Sequence, residues 1–70
     1  MAYEIWEMRT GNLVASFSTE RDALTLVRDA VNAHGDAYVE SLALVYEGDD
    51  GSTTTVTTSY ALIERAQVAA

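Results

Sequence analysis

The feature that most constrains the fold is a run of about thirty residues near the start of the chain. Residues 3–8 have the composition of a strand, residues 10–12 are a turn signal, and residues 13–17 are typical of a second strand. Residues 18–22 favour a helix start, and Gly35 favours a helix end. The run therefore predicts a β-hairpin followed by a helix.

The predicted helix has the strongest local pattern. Thr19 suits the N-cap, and Asp22 takes the capping-box position three residues later as a shorter stand-in for glutamate. Gly35 fits the left-handed residue that ends many helices. Between them, apolar residues recur at spacings of three and four, which is the period of one helix face. The stripe consists of Ala23, Val27, Ala30, Val31 and His34, widened by Leu24 and Leu26.

The second half of the chain repeats the strand and turn signals. We interpret residues 36–40 as a connector that runs into a strand at residues 41–47, with a hairpin loop at residues 48–51. Residues 52–58 are mostly threonine and favour a fourth strand. Ser59 is a candidate cap for a short helix over residues 60–67, and the tail at residues 68–70 is expected to fray.

The element order ββαββα predicts a single small α+β domain over residues 1–70. We expect a four-stranded antiparallel sheet with one long helix packed on one face, and a short C-terminal helix. Two positions are open for the short helix. It lies on the other face, over Trp6 and Met8, or it reaches a neighbouring subunit.

Trp6 and Met8 are the most credible contact residues. In the first strand Tyr3 and Ile5 point to one face and Trp6 and Met8 to the other, so neither face is cleanly polar. Tryptophan, tyrosine and methionine are enriched in interface cores. Trp6 and Met8 therefore require cover, either from the C-terminal helix or from another chain. The interface candidates are Tyr3, Trp6, Met8, Tyr60 and Ile63.

The charge of the chain restricts its partners. Eleven acids and four arginines, without lysine, give a formal net charge of -7. A field of that sign repels phosphate backbones, so nucleic-acid binding is not expected. The charge suits either solubility alone or a basic protein partner, and the spread of the acids along the chain favours solubility.

Composition also bears on compartment and assembly. Cysteine is absent, which excludes disulfides and thiolate metal sites. No apolar run approaches the ~20 residues that cross a bilayer, and the first four residues lack the pattern of a signal peptide. We therefore expect a cytoplasmic protein that does not contact a membrane. A chain of 70 residues is near the lower limit for folding alone, which favours a homodimer.

His34 is the single histidine of the chain. A metal site or a catalytic base would require partners, and Asp29 and Asp36 lack any established ligand spacing. We expect a helix-end histidine whose imidazole lies near the last carbonyls. The alternative, an enzyme or small-molecule binder, would require a pocket around His34 with carboxylates.

Two other patterns are interpreted as structural. Glu47, Asp49 and Asp50 surround a loop, but their spacing does not match a calcium loop, and Asp-Gly is itself a turn signature. The alternating threonines at positions 53, 55 and 57 suit an edge strand better than a ligand surface. We predict no catalytic, cofactor-binding or metal-binding residues, no cofactor and no enzymatic activity.

Residues 3–28 carry a pattern that resembles a small bacterial domain family. Its elements here are a strand with an aromatic, Trp6, a Gly-Asn turn at residues 11–12, and Phe-x-Thr-Glu at residues 17–20, followed by Ala-Leu and Val-Arg in the helix. The family has no known activity, so the resemblance implies a fold and not a function. The layout also resembles the module that binds RNA–DNA hybrids in front of some ribonucleases H. That module is basic where this chain is acidic, which argues against nucleic-acid binding.

These observations lead to two functional hypotheses. The first is a non-enzymatic protein-interaction domain that self-associates through the face of Trp6 and Met8 or through a sheet edge. The second is an acidic inhibitor or antitoxin-like binder of a basic partner protein.

Overall fold

The computed structural model describes residues 1–69, with side chains described through residue 68. One four-stranded antiparallel sheet has the strand order β2-β1-β3-β4, and helices follow each hairpin. The α+β fold and the order ββαββα are confirmed, with one additional short helix. The elements are β1 (Ala2–Glu7), β2 (Asn12–Phe17), α1 (Glu20–His34), α2 (Asp36–Val39), β3 (Leu42–Glu47), β4 (Thr53–Thr58) and α3 (Ser59–Ala69).

Both ends of α1 follow the predicted chemistry. The Thr19 hydroxyl oxygen accepts a hydrogen bond from the Asp22 backbone N–H at 3.2 Å, and Glu20 and Asp22 place negative charge in the first turn. Gly35 has a φ of 88° and donates its N–H to the Val31 carbonyl at 2.8 Å. A side chain at that φ would be strained, so glycine ends the helix here.

Residues 36–40, interpreted as a connector into the next strand, include a helical turn that the sequence analysis does not predict. Residues 36–39 form the single helical turn α2, which begins after the positive φ of Gly35. The Tyr38 N–H bonds to the Gly35 carbonyl at 3.3 Å. The turn brings Val39 into the core with no exposed surface, whereas Tyr38 stays 57% exposed. An extended segment would not bury the Val39 side chain and would lose that hydrophobic stabilisation.

All three helices lie on one face of the sheet. The α1 helix packs over β1 and β2, and α3 packs over β3 and β4 and against α1. Arg65 on α3 donates hydrogen bonds to the Glu20 carboxylate at the start of α1, at 2.5 and 2.6 Å. The shortest dimension of the molecule, 17 Å, corresponds to one helix layer on one sheet. The core between these layers contains Ile5, Ala23, Leu24, Val27, Val39, Leu42, Leu44, Leu62, Ile63 and Ala66.

The α3 helix therefore does not cover Trp6. The expected position of this helix over Trp6 and Met8, on the other face of the sheet, is wrong. Leu62 and Ile63 belong to the same core cluster as Ile5. Trp6 follows Ile5 in β1, and successive strand side chains point to opposite faces. The face that carries Trp6 has no helix over it.

Each edge strand contains one β-bulge. In β2 the register passes from Ala15 opposite Ile5 to Leu13 opposite Trp6, which leaves Val14 as the extra residue. In β4 Val56 is the extra residue between Thr55 and Thr57. Because a bulge shifts the alternation by one residue, Leu13 faces the side of Trp6. Uninterrupted alternation would have placed Leu13 on the same face as Ala15 and Phe17.

The passage from β4 to α3 has no loop. Ser59 directly follows the strand and has a φ of 57°, the one positive value among the non-glycine residues described. This conformation turns the chain sharply, so that α3 runs back over the sheet. The helix continues to Ala69, two residues beyond the predicted end at Gln67. The predicted fraying of the tail concerns residues 68–70, of which residue 70 lies outside the described residues.

Candidate functional site

The uncovered side of the sheet, here called the open face, consists of three cross-strand rows. The strand pairings place Trp6 between Leu13 and Ala43 in the first row, and Glu4 between Ser16 and Val45 in the second. The third row is shorter because β2 does not reach it. In full, the rows are Leu13, Trp6, Ala43 and Thr58; Ser16, Glu4, Val45 and Thr55; and Ala2, Glu47 and Thr53.

Trp6 is the centre of the apolar part of the open face. It is half-buried, and its indole N–H donates to the Glu4 carboxylate at 3.0 Å, which fixes the ring along the strand. Ala43 beside it is only 4% exposed, yet it is not part of the core cluster. The larger side chains of the same row, Trp6 and Thr58, therefore shield it. Leu13 at the edge of the row is 47% exposed.

The structure separates the five predicted interface residues. Ile63 is in the core, and Tyr3 packs against the core with its ring 5.1 Å from that of Tyr46. Met8 lies past the end of β1, beside α2, and is 47% exposed. Tyr60 is exposed on α3, on the helix side of the sheet, and is not part of the open face. Of the five, Trp6 alone lies on the open face.

Tyr60 makes a specific contact of its own. Its hydroxyl donates to the Glu40 carboxylate at 3.2 Å, a link between α3 and the residue after α2. The negative charge of Glu40 raises the pKa of the Tyr60 hydroxyl, because a second negative charge beside that carboxylate is unfavourable.

A cleft lies on the helix side of the sheet, at the end of the β1–β2 hairpin. It has a volume of about 490 Å³ and is bounded by the second half of α1, by α2 and by the starts of β2 and β3. The β2 bulge directs Val14 into it, and α1 presents only methyl groups at positions 30 and 33, which leaves the space unfilled. The lining residues are Glu7, Arg9, Val14, Leu26, Asp29, Ala30, Ala33, His34, Tyr38 and Leu42.

Glu7 is the most firmly held polar group of the cleft. Its carboxylate accepts the Ser41 hydroxyl at 2.5 Å and the Arg9 backbone N–H at 2.5 Å, and the side chain is 21% exposed. The Ser41 hydrogen bond, followed by that of the Arg9 backbone, lowers the pKa of Glu7, because both donors stabilise the charged form. Glu7 is therefore a fixed negative charge at neutral pH.

This arrangement of Glu7 gives a pH-dependent prediction. A lowered pKa in the folded state contributes stability above the ordinary value of 4.5, and that contribution is lost as the pH falls through the folded value. Ser41→Ala removes the main donor and should reduce stability at pH 7, with the deficit shrinking as the pH falls below 4.5. Urea unfolding at pH 7 and at several lower values measures it. Ser18→Ala, an exposed serine in a loop, is the control, and a deficit independent of pH would contradict the assignment.

His34 lies at the cleft, as the last residue of α1. Its ring packs against Tyr38, with centroids 4.6 Å apart at 34°. In the described part of the chain no hydrogen bond to an acid orients the imidazole, as a catalytic base would require. A small-molecule binder would require a pocket with carboxylates around His34. Such a pocket is present, because Glu7 and Asp29 line the same cleft.

The acids of the β3–β4 loop make structural contacts within and beside the turn. Asp50 accepts hydrogen bonds from the Ser52 hydroxyl at 2.6 Å and from the Ser52 N–H at 2.9 Å, and these lower the pKa of its carboxyl. Asp49 lies 3.6 Å from the N-terminal amine. Within residues 1–69, no three potential ligand side chains form a group that would hold a metal ion.

Sequence reasoning found Trp6 but missed most of both surfaces. Leu13 and Val45 of the open face carry no local signal that separates them from core residues, since the bulge decides the side on which Leu13 lies. The cleft brings Glu7 and Tyr38 together from positions more than thirty residues apart. A pattern along the chain does not encode that proximity.

Comparisons with known proteins add no family. No protein-family model, curated protein or solved structure matches the chain. The resemblance of residues 3–28 to a small bacterial family thus stays a prediction. None of the helices in residues 1–69 has the length and apolar character needed to cross a bilayer.

Proposed function

We propose that this protein is a non-enzymatic interaction domain that self-associates through the open face of its sheet. The supporting observation is the one-sided packing of the molecule: all three helices lie on one side, and the other side exposes an apolar row around Trp6. A second copy placed on this face would give each sheet an apolar layer on both sides. The proposal includes a cytoplasmic location.

The open face is a better candidate than a sheet edge. Both edge strands carry a bulge, at Val14 in β2 and at Val56 in β4. Bulges interrupt the regular row of free N–H and C=O groups and are a common device that discourages pairing with another strand. The middle of the open face, in contrast, is formed by Trp6, Ala43 and Val45 of the two central strands, which pair without a bulge between them.

The size of the open face sets the expected strength of the dimer. Four strands of six residues form a surface of roughly 20 by 20 Å, about 400 Å². Two copies would bury at most about 800 Å² of flat area, and less if they overlap mainly around the Trp6 row, which is below the ~1,200–2,000 Å² of standard interfaces. We therefore expect a weak dimer, with a dissociation constant on the order of 100 µM.

Charge restricts how two copies face each other. Glu4 lies in the second row and Glu47 in the third, both to the same side of the Trp6 row. A two-fold axis along the Trp6 row, perpendicular to the strands, would pack the two rows on each other and place the acids of the two copies at opposite ends. That arrangement avoids contact between like charges in the interface.

Self-association is tested with Leu13→Glu, which adds charge to an exposed position of the open face. We expect sedimentation to show a concentration-dependent dimer in the unmodified protein and a dissociation constant about tenfold or more higher in the variant. Trp6 is the single tryptophan, so its emission should shift to the blue as the dimer forms.

The matched control is Tyr38→Glu, which adds the same charge at an exposed aromatic on the helix side. It should leave the dissociation constant unchanged. A protein that stays monomeric at millimolar concentration, or a dimer that both variants weaken equally, would refute the proposal.

A basic partner is the second candidate, and one observation favours it. Glu4 and Glu47 are the charged residues of the open face, whereas the arginines lie elsewhere. Arg9 follows β1, and the others are at positions 21 and 28 of α1 and 65 of α3. An apolar surface bordered only by acids suits the apolar side of a basic amphipathic segment.

The probe for this candidate is a synthetic amphipathic helix of leucine and lysine. Binding should weaken as salt rises and should be weakened by the double variant Glu4→Gln with Glu47→Gln. Asp36→Asn with Glu64→Gln removes the same charge at exposed helix positions and is the control. Equal loss in both double variants would show a response to net charge alone and would eliminate this candidate.

A further inference from the structure

The cleft beside His34 has the form of a small-molecule site and lies away from the surface assigned to self-association. Its volume of about 490 Å³ is similar to those of two other surface clefts, one beside Met8 and one beside Ala61, so its lining and not its size distinguishes it. Trp6 is on the open face, on the other side of the sheet. The two surfaces are thus independent, and a test of one does not depend on the other.

The lining divides into an apolar part and a charged part. Val14, Leu26 and Ala30 provide apolar surface that would contact the body of a ligand. The acids are Glu7 at the end of β1 and Asp29 on α1. Asp29 is paired with Arg28 at 3.3 Å and its side chain is 64% exposed, so Glu7 is the main negative charge of the cleft. The carboxylate of Glu7 is already oriented by Ser41 and by the Arg9 N–H, so it would not have to reorganise on binding.

The aromatic pair of the cleft also suits a positive ligand, whereas Arg9 opposes one. Tyr38 is exposed, and its ring lies against that of His34, so the pair presents aromatic surface at the wall of the cleft. Arg9 is the one arginine of the lining, and its side chain is 80% exposed, with its Nε 3.7 Å from the Glu7 carboxylate. Solvent screens a charge so exposed, whereas Glu7 is mostly covered.

We propose that this cleft binds a small organic cation, an amine carried on a flat apolar body. The ammonium group would lie against the Glu7 carboxylate, and the apolar body would lie over Val14, Leu26 and Ala30, next to Tyr38. The net charge of -7 would raise the local concentration of such a ligand.

The probe is phenethylamine, followed by changes in the backbone amide resonances of the isotope-labelled protein. We expect saturable changes confined to the lining of the cleft, with a dissociation constant on the order of 1 mM. Phenylacetate, which has the opposite charge, and 2-phenylethanol, which has none, should bind at least about tenfold more weakly. Equal binding of all three compounds, or changes spread over the open face, would overturn the proposal.

Two variants test separately where the ligand binds and whether the charge of Glu7 is required. Ala33→Phe fills the cleft from an exposed helix position and should remove binding, whereas Ala61→Phe makes the same change on α3 and should not. Glu7→Gln keeps the shape of the side chain but removes its charge. It should weaken the binding of the amine and leave the binding of 2-phenylethanol unchanged. Retention of amine binding by both Ala33→Phe and Glu7→Gln would refute the site, and dimer formation reported by Trp6 should be unaffected in either case.

Discussion

Leu44→Ala is expected to lower the free energy of unfolding by about 3 kcal/mol, one of the two largest effects expected of a single truncation in this chain. Leu44 lies in the central strand β3 with no exposed surface and belongs to the core between sheet and helices. A chain of 70 residues has a total stability of only about 4–10 kcal/mol. The variant should therefore melt roughly 12–24 °C lower. Thermal and urea unfolding followed by circular dichroism measure both quantities.

The matched control for this prediction is Val45→Ala, the next residue of the same strand. Val45 points to the open face, opposite Glu4, and is only half-buried. Its truncation should cost about 1 kcal/mol or less when measured at a concentration where the protein is monomeric. Equal costs at positions 44 and 45 would contradict the assignment of one face to the core and the other to solvent.

Leu62→Ala is expected to cost about 2.5–4 kcal/mol, because α3 is part of the core and not an appendage. Leu62 has no exposed surface and packs in the cluster that contains Leu24 and Leu44. Its removal leaves a cavity where α3 meets α1 and the sheet. Urea unfolding measures the cost, and a melting temperature lowered by about 10 °C or more should accompany it.

Tyr60→Phe is the control for the α3 prediction. It removes only the exposed hydrogen bond to Glu40, which solvent largely replaces, so its cost should be much smaller than that of Leu62→Ala. A small effect of Leu62→Ala, combined with a change in Trp6 emission, would mean that α3 packs on the open face in solution. That result would overturn the one-sided architecture and, with it, the proposed interface.

Local chemistry made α1 predictable. The Thr19 cap, the acids of the first turn and Gly35 at the end act on backbone groups within a few residues, and the spacing of Ala23 and Val27 marks the buried side. The two hairpins follow from turn residues in the same way, since Gly11 and Gly51 adopt positive φ where the chain reverses. These elements could be predicted because their causes are close in sequence.

The α2 turn and the two bulges could not be predicted, because distant contacts decide them. Val39 reaches the core only if residues 36–39 form a helical turn, and that gain depends on the position of the core. Val14 and Val56 become bulges through the registers of strands that pair with them from elsewhere in the chain. Neither position has the glycine that marks many bulges in sequence.

The candidate surfaces divide in the same manner. The excess of apolar residues in β1 pointed to Trp6 as a contact residue, because alternation along a strand is a local property. The residues that lie beside Trp6 on the open face depend on the strand order and on the bulges. The cleft depends on the approach of α1, α2 and the first hairpin, which join Glu7, Asp29 and Tyr38.

The sequence by itself determined the kinds and order of the elements other than α2, and the ends of the long helix, because the backbone conformation there depends on neighbours within a turn or a hairpin. The tertiary structure alone decided the side on which α3 packs. Leu62 and Ile63 gain burial with α1 and β3, and that gain outweighs anything Trp6 offers on the far side of the sheet. That choice leaves the open face uncovered and shapes the cleft, and both proposals depend on it.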